Sequence, residues 1–148
     1  MLKRDSKGFT LIELLNVVAI IGIIAAIAIP NLLNAIDRGK QKRTMADLRS
    51  VGTAVESYAV DNNVYPVSVL NTTLQTIIQT GAYMKNMPLA DGWNHAFVVD
   101  SATTGYTIYS TGKDGTGTDC AGVTTQTFND QICFQNGQFI RYPAGSQQ

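Results

Sequence analysis

The sequence predicts an α+β protein: a long N-terminal hydrophobic α-helix whose C-terminal half packs on a small antiparallel β-sheet head. Two observations predict this class. Residues 11–29 are almost entirely apolar, and a helical pattern continues from them to about residue 61. After residue 81 the composition shifts to glycine, threonine and aromatic residues, and the apolar period shortens to that of strands. A chain of 148 residues accommodates one domain with such an appendage.

The first element is a segment long enough to cross a membrane. Between Leu11 and Ile29 the only polar side chains are Glu13 and Asn16. A helix over residues 9–29 rises about 30 Å, at about 1.5 Å per residue, which is close to the thickness of bilayer hydrocarbon. The residues before it are basic, which favours a cytoplasmic N-terminus and a single pass across the membrane.

Glu13 bears on three simple interpretations of this segment. These are a secretory signal cleaved near Ala26-Ile27-Ala28, an ordinary signal anchor, and the buried helix of a soluble protein. A carboxylate near the centre of a membrane costs about 2.5 kcal/mol or more and usually marks a functional partner. Glu13 lies nearer the entry side, where the cost is smaller, but it still argues against all three.

The stretch KGFTLIELLNVVAIIGIIAAIAIP resembles the class III signal of type IV pilins and type II secretion pseudopilins. The resemblance implies that a prepilin peptidase cuts between Gly8 and Phe9 and that Phe9 is then methylated. It also implies that Glu13 pairs, in a filament, with the Phe9 amine of a neighbouring subunit. Gly22 and Pro30 match positions where the family has a helix-weakening glycine and a proline.

This resemblance divides the chain into three parts. Residues 1–8 are the cleaved leader, residues 9–30 the transmembrane and filament-core helix, and residues 31–148 the head with the second half of the long helix. In a dry helical core an unpaired carboxylate is penalised and an ion pair attracts strongly, so we expect Glu13 to set the stacking register. Pro30 lacks an amide hydrogen and Gly22 has low helix propensity, so both weaken the helix.

Beyond Pro30 the pattern is that of an amphipathic helix. Apolar residues recur at three- and four-residue steps at Leu32, Leu33, Ile36, Met45, Leu48, Val51, Val55, Tyr58 and Ala59. The other side is expected to carry Asp37, Arg38, Lys40, Lys42, Arg43, Asp47 and Arg49. The basic cluster from Arg38 to Arg43 has two interpretations: contact with anionic lipid or acidic neighbours, or an ordinary solvated helix face.

The head is predicted to hold a second helix and three or four antiparallel strands. The helix spans residues 69–80 and ends at Gly81 as its C-cap. The predicted strands span residues 96–99, 106–109, 132–135 and 138–142. Asn136-Gly137 separates the last two strands and predicts a type I′ hairpin.

Two cysteines, Cys120 and Cys133, lie near the C-terminus. An even number in an exported chain predicts one disulfide, whereas in a cytosolic chain the alternative is two buried thiols. A disulfide closing a loop of about a dozen residues contributes about 3 kcal/mol.

The segments PLADGWNHAF and GYTIYSTGKDGTG resemble the major pseudopilin of type II secretion. The second carries that subfamily's Ser-x-Gly-x-Asp-Gly motif at Ser110, Gly112, Asp114 and Gly115. Asp91 and Trp93 only approximate its Pro-Asp-x-Trp-Gly segment. A two-cysteine C-terminal loop is instead usual for type IV pilins.

The resemblance also implies a calcium-binding loop, for which hard oxygen ligands are suitable. The candidate ligands are the Asp114 carboxylate, the Thr111 carbonyl and Asp119. Lys113 places a cation beside this site, and a disulfide at Cys120 is an alternative staple for the loop. A solvated Asp-Gly turn is the simplest alternative.

Other function classes find little support in the sequence. The formal net charge is zero, which argues against nucleic-acid binding, and a single histidine argues against a zinc site. No Gly-x-Ser-x-Gly, P-loop or His-Glu-x-x-His motif occurs, so we expect no enzyme and interpret His95 as a packed or surface residue.

The resemblance therefore implies a subunit of a type II secretion pseudopilus. The alternatives are a major or minor type IV pilin of a surface pilus and an exported soluble binding module. The resemblance implies these partners: further copies of the chain, minor pilins or pseudopilins, the prepilin peptidase and an inner-membrane assembly platform with its ATPase. It implies a bacterial inner-membrane location, followed by a periplasmic or extracellular filament.

Overall fold

The computed structural model describes residues 8–117, 120, 124–125 and 127–143. Its helices are α1 (Leu11–Asn62) and α2 (Asn71–Thr80). Its strands are β1 (Val98–Ala102), β2 (Gly105–Ser110), β3 (Thr124–Thr125), β4 (Ile132–Gln135) and β5 (Gln138–Pro143). This arrangement of one long helix followed by a small sheet confirms the α+β class.

The chain divides into two units, of which the N-terminal one ends at Ile36 and the head begins at Asp37. In the N-terminal unit the large apolar side chains are exposed, from Phe9 at 83% to Ile36 at 46%. Helix α1 runs through Gly22 and Pro30 without interruption. Among the described residues, α1 is the one helix long and apolar enough to cross a membrane.

In the head, α1 buries one face against the sheet. Its buried positions are Asp37, Gln41, Thr44, Leu48, Val51, Gly52, Ala54 and Val55. Leu48, Val51 and Val55 are fully buried in a core with Ile108 and Phe134, which confirms that the second half of the helix packs on the sheet. A side chain on Gly52 would collide with the Phe134 ring, so glycine allows the helix and strand β4 to approach closely.

The strands form one sheet in the order β1-β2-β4-β5-β3. The pairs β1–β2, β2–β4 and β4–β5 are antiparallel, as predicted. Strand β3 differs, because it pairs parallel to β5 through Thr124 opposite Tyr142 and Thr125 opposite Pro143. A strand of two residues is too short to produce an alternating pattern in the sequence.

The turn between β4 and β5 is the hairpin that the sequence predicts. Gln135 lies opposite Gln138, which leaves Asn136 and Gly137 as a two-residue loop. Their φ angles of 45° and 86° are both positive, as a type I′ turn requires. The Asn136 side chain also accepts a hydrogen bond from the Tyr106 amide at 2.9 Å, which ties the turn to β2.

Helix α2 begins at Asn71, slightly later than predicted, and buries Leu74 and Ile78. Gly81 follows it as the predicted C-cap, and its amide donates to the Ile77 carbonyl. The left-handed residue, however, is Ala82 with φ 60°, whereas Gly81 has φ −75°. A side chain at Gly81 would collide with the Tyr83 ring, so glycine is needed there for space.

Candidate functional site

The first candidate site is the start of α1, where Thr10 and Glu13 form a reciprocal cap. One Glu13 carboxylate oxygen accepts hydrogen bonds from the Thr10 amide at 2.9 Å and from the Thr10 hydroxyl at 2.6 Å. The Glu13 amide donates back to the Thr10 hydroxyl at 3.3 Å. This is a capping box, which satisfies amides that the first helical turn leaves without partners.

The capping box is a role for Glu13 that the sequence interpretation missed. Its signal, a threonine followed three residues later by a glutamate, is present in Thr10-Leu11-Ile12-Glu13. The predicted pairing of Glu13 with the Phe9 amine of another subunit concerns an assembly of several chains and stays a prediction. Both roles use the same carboxylate.

Gly8 and Phe9, the predicted cleavage and methylation positions, precede this cap and are exposed. A side chain built on Gly8 meets no atom within 4 Å. The fold of the described chain therefore places no steric demand for glycine at this position. The weakening of the helix at Gly22 and Pro30 also stays a prediction about the assembled filament.

The second candidate site joins two loops of the head through the buried carboxylate of Asp91, which is 3% exposed. One carboxylate oxygen accepts from the amides of Trp93 and His95, both at 2.9 Å. The other accepts from the Ser110 hydroxyl at 2.5 Å, and that hydroxyl accepts from the Gly112 amide at 3.1 Å. The two segments that resemble the major pseudopilin are thus parts of one hydrogen-bonded structure.

His95 completes this link between the loops. Its Nδ1 atom lies 2.9 Å from the Gly112 carbonyl oxygen, which can only accept, so Nδ1 carries the proton. The left-handed backbone of Gly112, with φ 80°, brings this carbonyl to the ring. His95 is therefore a packed residue that holds the turn after β2, as the sequence interpretation expected.

Both loops are held against α1 by Asp37. The indole Nε1 of Trp93 donates to Asp37 Oδ1 at 3.0 Å, and Lys113 Nζ lies 2.8 Å from Asp37 Oδ2. The prediction that Asp37 lies on the side of α1 opposite its apolar face is wrong, because Asp37 is only 6% exposed and lies on the buried face. Burial opposes ionisation of Asp37. Hydrogen bonds from Lys113 and Trp93, and the charges of Lys113 and Lys40, outweigh that effect and lower the pKa of Asp37.

A close backbone approach accompanies this contact. The Gly92 amide donates to the Thr44 hydroxyl at 2.9 Å, and a side chain on Gly92 would collide with the Lys40 carbonyl. We call this joint, formed by Asp37, Trp93 and Lys113 with Gly92 against Thr44, the Asp37 clamp. It gives Lys113 a structural role that the sequence interpretation did not foresee.

The predicted calcium ligands are only partly described. Asp114 is exposed, and its Oδ1 atom accepts from the Thr116 amide at 3.1 Å, as in a simple Asx turn. Asp119 lies outside the described residues, and the predicted ligand at Thr111 is its backbone carbonyl. No group of three histidine, cysteine or acidic side chains suited to a metal occurs in the described part of the chain. Calcium binding stays a prediction.

The predicted disulfide joins Cys120 to Cys133. Cys133 is fully buried in β4, the strand between β2 and β5. Cys120 lies at a sequence separation of 13, in the region that follows the Asp37 clamp. The disulfide therefore fastens Cys120 to the centre of the sheet.

Taken together, these features define the class of type IV pilin-like filament subunits: a capped apolar helix start behind a Gly-Phe junction, continuous with a helix packed on a small sheet. Residues 31–125 match the family model for type II secretion system (T2SS), protein G. Residues 3–29 match the prokaryotic N-terminal methylation motif. The chain belongs to the type II secretion system protein G family.

Individual relatives agree with this assignment. Type II secretion system core protein G of Pseudomonas aeruginosa is 31% identical over 127 residues, covering 78% of this chain and 89% of the relative. The protein of the same name from Vibrio cholerae is 29% identical over 145 residues, covering 84% and 97%. No solved structure matches the chain.

Similarity to type IV pilins is higher in identity but shorter. The type IV wide pilus major component PilA4 of Thermus thermophilus is 52% identical over 62 residues, which is 42% of this chain and 47% of the relative. The matches to the core protein G relatives cover most of the chain, so they include much of the head. This confirms the predicted resemblance to the major pseudopilin.

Proposed function

We propose that this chain is the structural subunit of a pseudopilus, a periplasmic filament that drives protein export by type II secretion. The observation that carries the proposal is the similarity to core protein G over most of the chain. The described residues support a structural role, since the polar side chains that the two family motifs bring together are engaged in holding loops and helix to one another.

The apolar segment of α1 explains why such a subunit needs two environments. Its exposed side chains, such as Ile24 at 60% and Ile29 at 55%, require lipid or the helices of other subunits. Transfer from lipid to a filament core exchanges one apolar environment for another, so the hydrophobic effect gives assembly no direction. Helix packing, the Glu13 pair and an assembly ATPase acting through the inner-membrane platform supply it in this proposal.

The proposed sequence of events begins in the inner membrane with the N-terminus in the cytoplasm. A prepilin peptidase cleaves between Gly8 and Phe9, and Phe9 is methylated. The subunit then joins copies of itself and minor pseudopilins, with Glu13 exchanging its cap to Thr10 for the Phe9 amine of a neighbour. An ionised pair in a dry core is favourable only where its geometry is good, so a slipped stack is disfavoured.

A second candidate function is that of a major or minor type IV pilin on the cell surface. The 52% identity to PilA4 favours it, as does the C-terminal disulfide. The two candidates differ in what the cell loses without the chain: exported proteins in the first case and surface pili in the second.

The test is a complementation experiment in cells lacking the chain. We expect wild-type protein to restore export of a type II substrate, with surface pili unchanged, and its N-terminus to be methylated Phe9. Glu13→Ala is expected to be inserted and cleaved but to reduce filament assembly at least about tenfold, because removing one member of a buried pair costs about 3–5 kcal/mol.

Thr10→Val is the matched control, since it removes the hydroxyl of the cap and leaves the carboxylate of Glu13 in place. We expect it to assemble nearly as well as wild type. Equal assembly defects in the two variants would mean that the cap, and not an intersubunit pair, is what Glu13 supplies. Loss of surface pili with export intact would replace the pseudopilin proposal with the pilin one.

A further inference from the structure

A cationic face lies on α1 at the start of the head. Arg38, Lys42 and Arg43 are exposed, and Lys40 between them is partly exposed. We call Lys42 and Arg43 the basic face.

The nearby carboxylates do not neutralise this face. Asp37 is turned toward Trp93 and Lys113 in the clamp, and its side chain is only 9% exposed. Asp47 lies 3.6 Å from Arg43, but the Arg43 side chain remains 71% exposed against 24% for Asp47. The basic face, with two cations against the single nearby carboxylate of Asp47, therefore carries excess positive charge.

The position of the basic face along α1 matches the headgroup layer of a membrane. Residues 9–36 rise about 40 Å in a helix, against about 30 Å for hydrocarbon and about 40–45 Å for a whole bilayer. Ile36, the last exposed apolar residue before the head, thus falls near the far headgroups. Helical side chains lean toward the N-terminus, so the cations that follow Ile36 reach back toward lipid phosphates.

We propose that the basic face binds the phosphates of anionic phospholipids in the leaflet at the C-terminal side of the apolar segment. This inference rests on the membrane-anchored subunit of the proposed function. Each cation held near an anionic surface strengthens association about fivefold, and the attraction falls off within a Debye length of roughly 10 Å. The lipid contact holds the unassembled subunit at one depth and is given up when the subunit enters a filament.

The test measures lipid selectivity of the full chain in phosphatidylcholine vesicles without any assembly machinery. Trace spin-labelled phosphatidylglycerol or spin-labelled phosphatidylcholine is added, and electron paramagnetic resonance gives the fraction of each label immobilised at the protein. We expect wild type to prefer phosphatidylglycerol at least about fivefold, and Lys42→Gln/Arg43→Gln to remove most of that preference.

Arg49→Gln/Lys85→Gln is the matched control, because it removes one arginine and one lysine from exposed positions outside the basic face. We expect it to keep the preference. Thermal unfolding of both double variants checks that the head remains folded.

Two results would overturn the inference: no preference in wild type, or an unchanged preference in Lys42→Gln/Arg43→Gln. If that variant kept the lipid preference but assembled poorly in cells, the basic face would bind an acidic neighbouring subunit instead. Because the vesicles contain no partner proteins, failure of the lipid inference leaves the proposed role in secretion standing, and the complementation experiment tests that role separately.

Discussion

The two parts of helix α1 are built from one continuous hydrogen-bonded backbone but have opposite surroundings. Before Ile36 the large apolar side chains are exposed, whereas beyond Asp37 Leu48, Val51 and Val55 are fully buried. The second part finds its apolar partner in the sheet of the same chain. The apolar side chains of the first part are covered only by lipid or by other subunits. Within one helix, the second part therefore serves folding of the head and the first part serves assembly.

The change between the two parts is marked by polar residues on the buried face. Asp37, Gln41 and Thr44 occupy the same face as Leu48, one helical turn after another. One loop contacts both ends of this polar stretch: Trp93 donates to Asp37, and the neighbouring Gly92 donates to Thr44. The head therefore begins with a polar joint and continues with an apolar core.

The largest expected effect comes from matched leucine truncations on the two sides of this boundary. Leu48→Ala creates a cavity in the core of the head and is expected to destabilise it by about 2–5 kcal/mol. Leu14→Ala, at a side chain 60% exposed, is expected to leave the unfolding of the head unchanged. Thermal unfolding of the head in detergent, followed by near-ultraviolet circular dichroism, measures both.

A filament-assembly measurement on Leu14→Ala is expected to give the opposite result to the unfolding measurement. Leu14→Ala removes apolar surface available to neighbouring helices and is expected to weaken assembly without weakening the head. A lowered midpoint of head unfolding in Leu14→Ala would break the comparison, because it would mean that the apolar segment contributes to folding of the head.

A smaller effect is expected from the disulfide, which belongs wholly to the head. Its loop, with a sequence separation of 13, predicts a loss of about 3 kcal/mol when both cysteines are replaced by serine. Unfolding by guanidinium chloride with and without reductant measures this in the wild-type chain. Membrane insertion and cleavage at Gly8 are expected to be unaffected in the double-serine variant. Impaired cleavage in that variant would mean that the head and the N-terminal segment are not independent.

Sequence patterns predicted the elements whose causes are local. The length of α1 follows from apolar spacing, and the β4–β5 hairpin follows from Asn136-Gly137, which accommodates two positive φ angles. The N-terminal motif is also local, since the capping at the start of α1 depends on neighbouring residues. The Thr10–Glu13 cap has an equally local signal, because a threonine followed three residues later by a glutamate predicts a capping box.

Contacts between distant segments could not be predicted in this way. Asp37 meets Trp93 and Lys113 at sequence separations of 56 and 76, and a helical pattern alone assigns a charged residue to the solvent side. The parallel strand β3 could not be predicted either, because a strand of two residues shows no periodic pattern in the sequence. Only the packed head reveals that a charge beside a basic cluster faces inward.

The Asp37 clamp gives the smallest of the three effects. Asp37→Asn keeps the shape of the side chain but loses the charge that Lys113 and the Trp93 indole contact. We expect a destabilisation of the head of about 1.5–3 kcal/mol at neutral pH, the range for hydrogen bonds to charged groups. Asp114→Asn is the matched control, because it removes a charge from an exposed turn whose cap asparagine can also supply.

The pH dependence identifies the clamp as the cause. Because folding lowers the pKa of Asp37 from 3.8, its ionised form contributes stability above that value, and the contribution is lost as pH falls through the lower folded-state pKa. The difference in unfolding midpoint between wild type and Asp37→Asn is therefore expected to be constant from about pH 7 to 5 and to shrink below about pH 4. A difference that stayed constant through acidification would mean that Asp37 acts through packing alone, and the start of the head would then not depend on its charge.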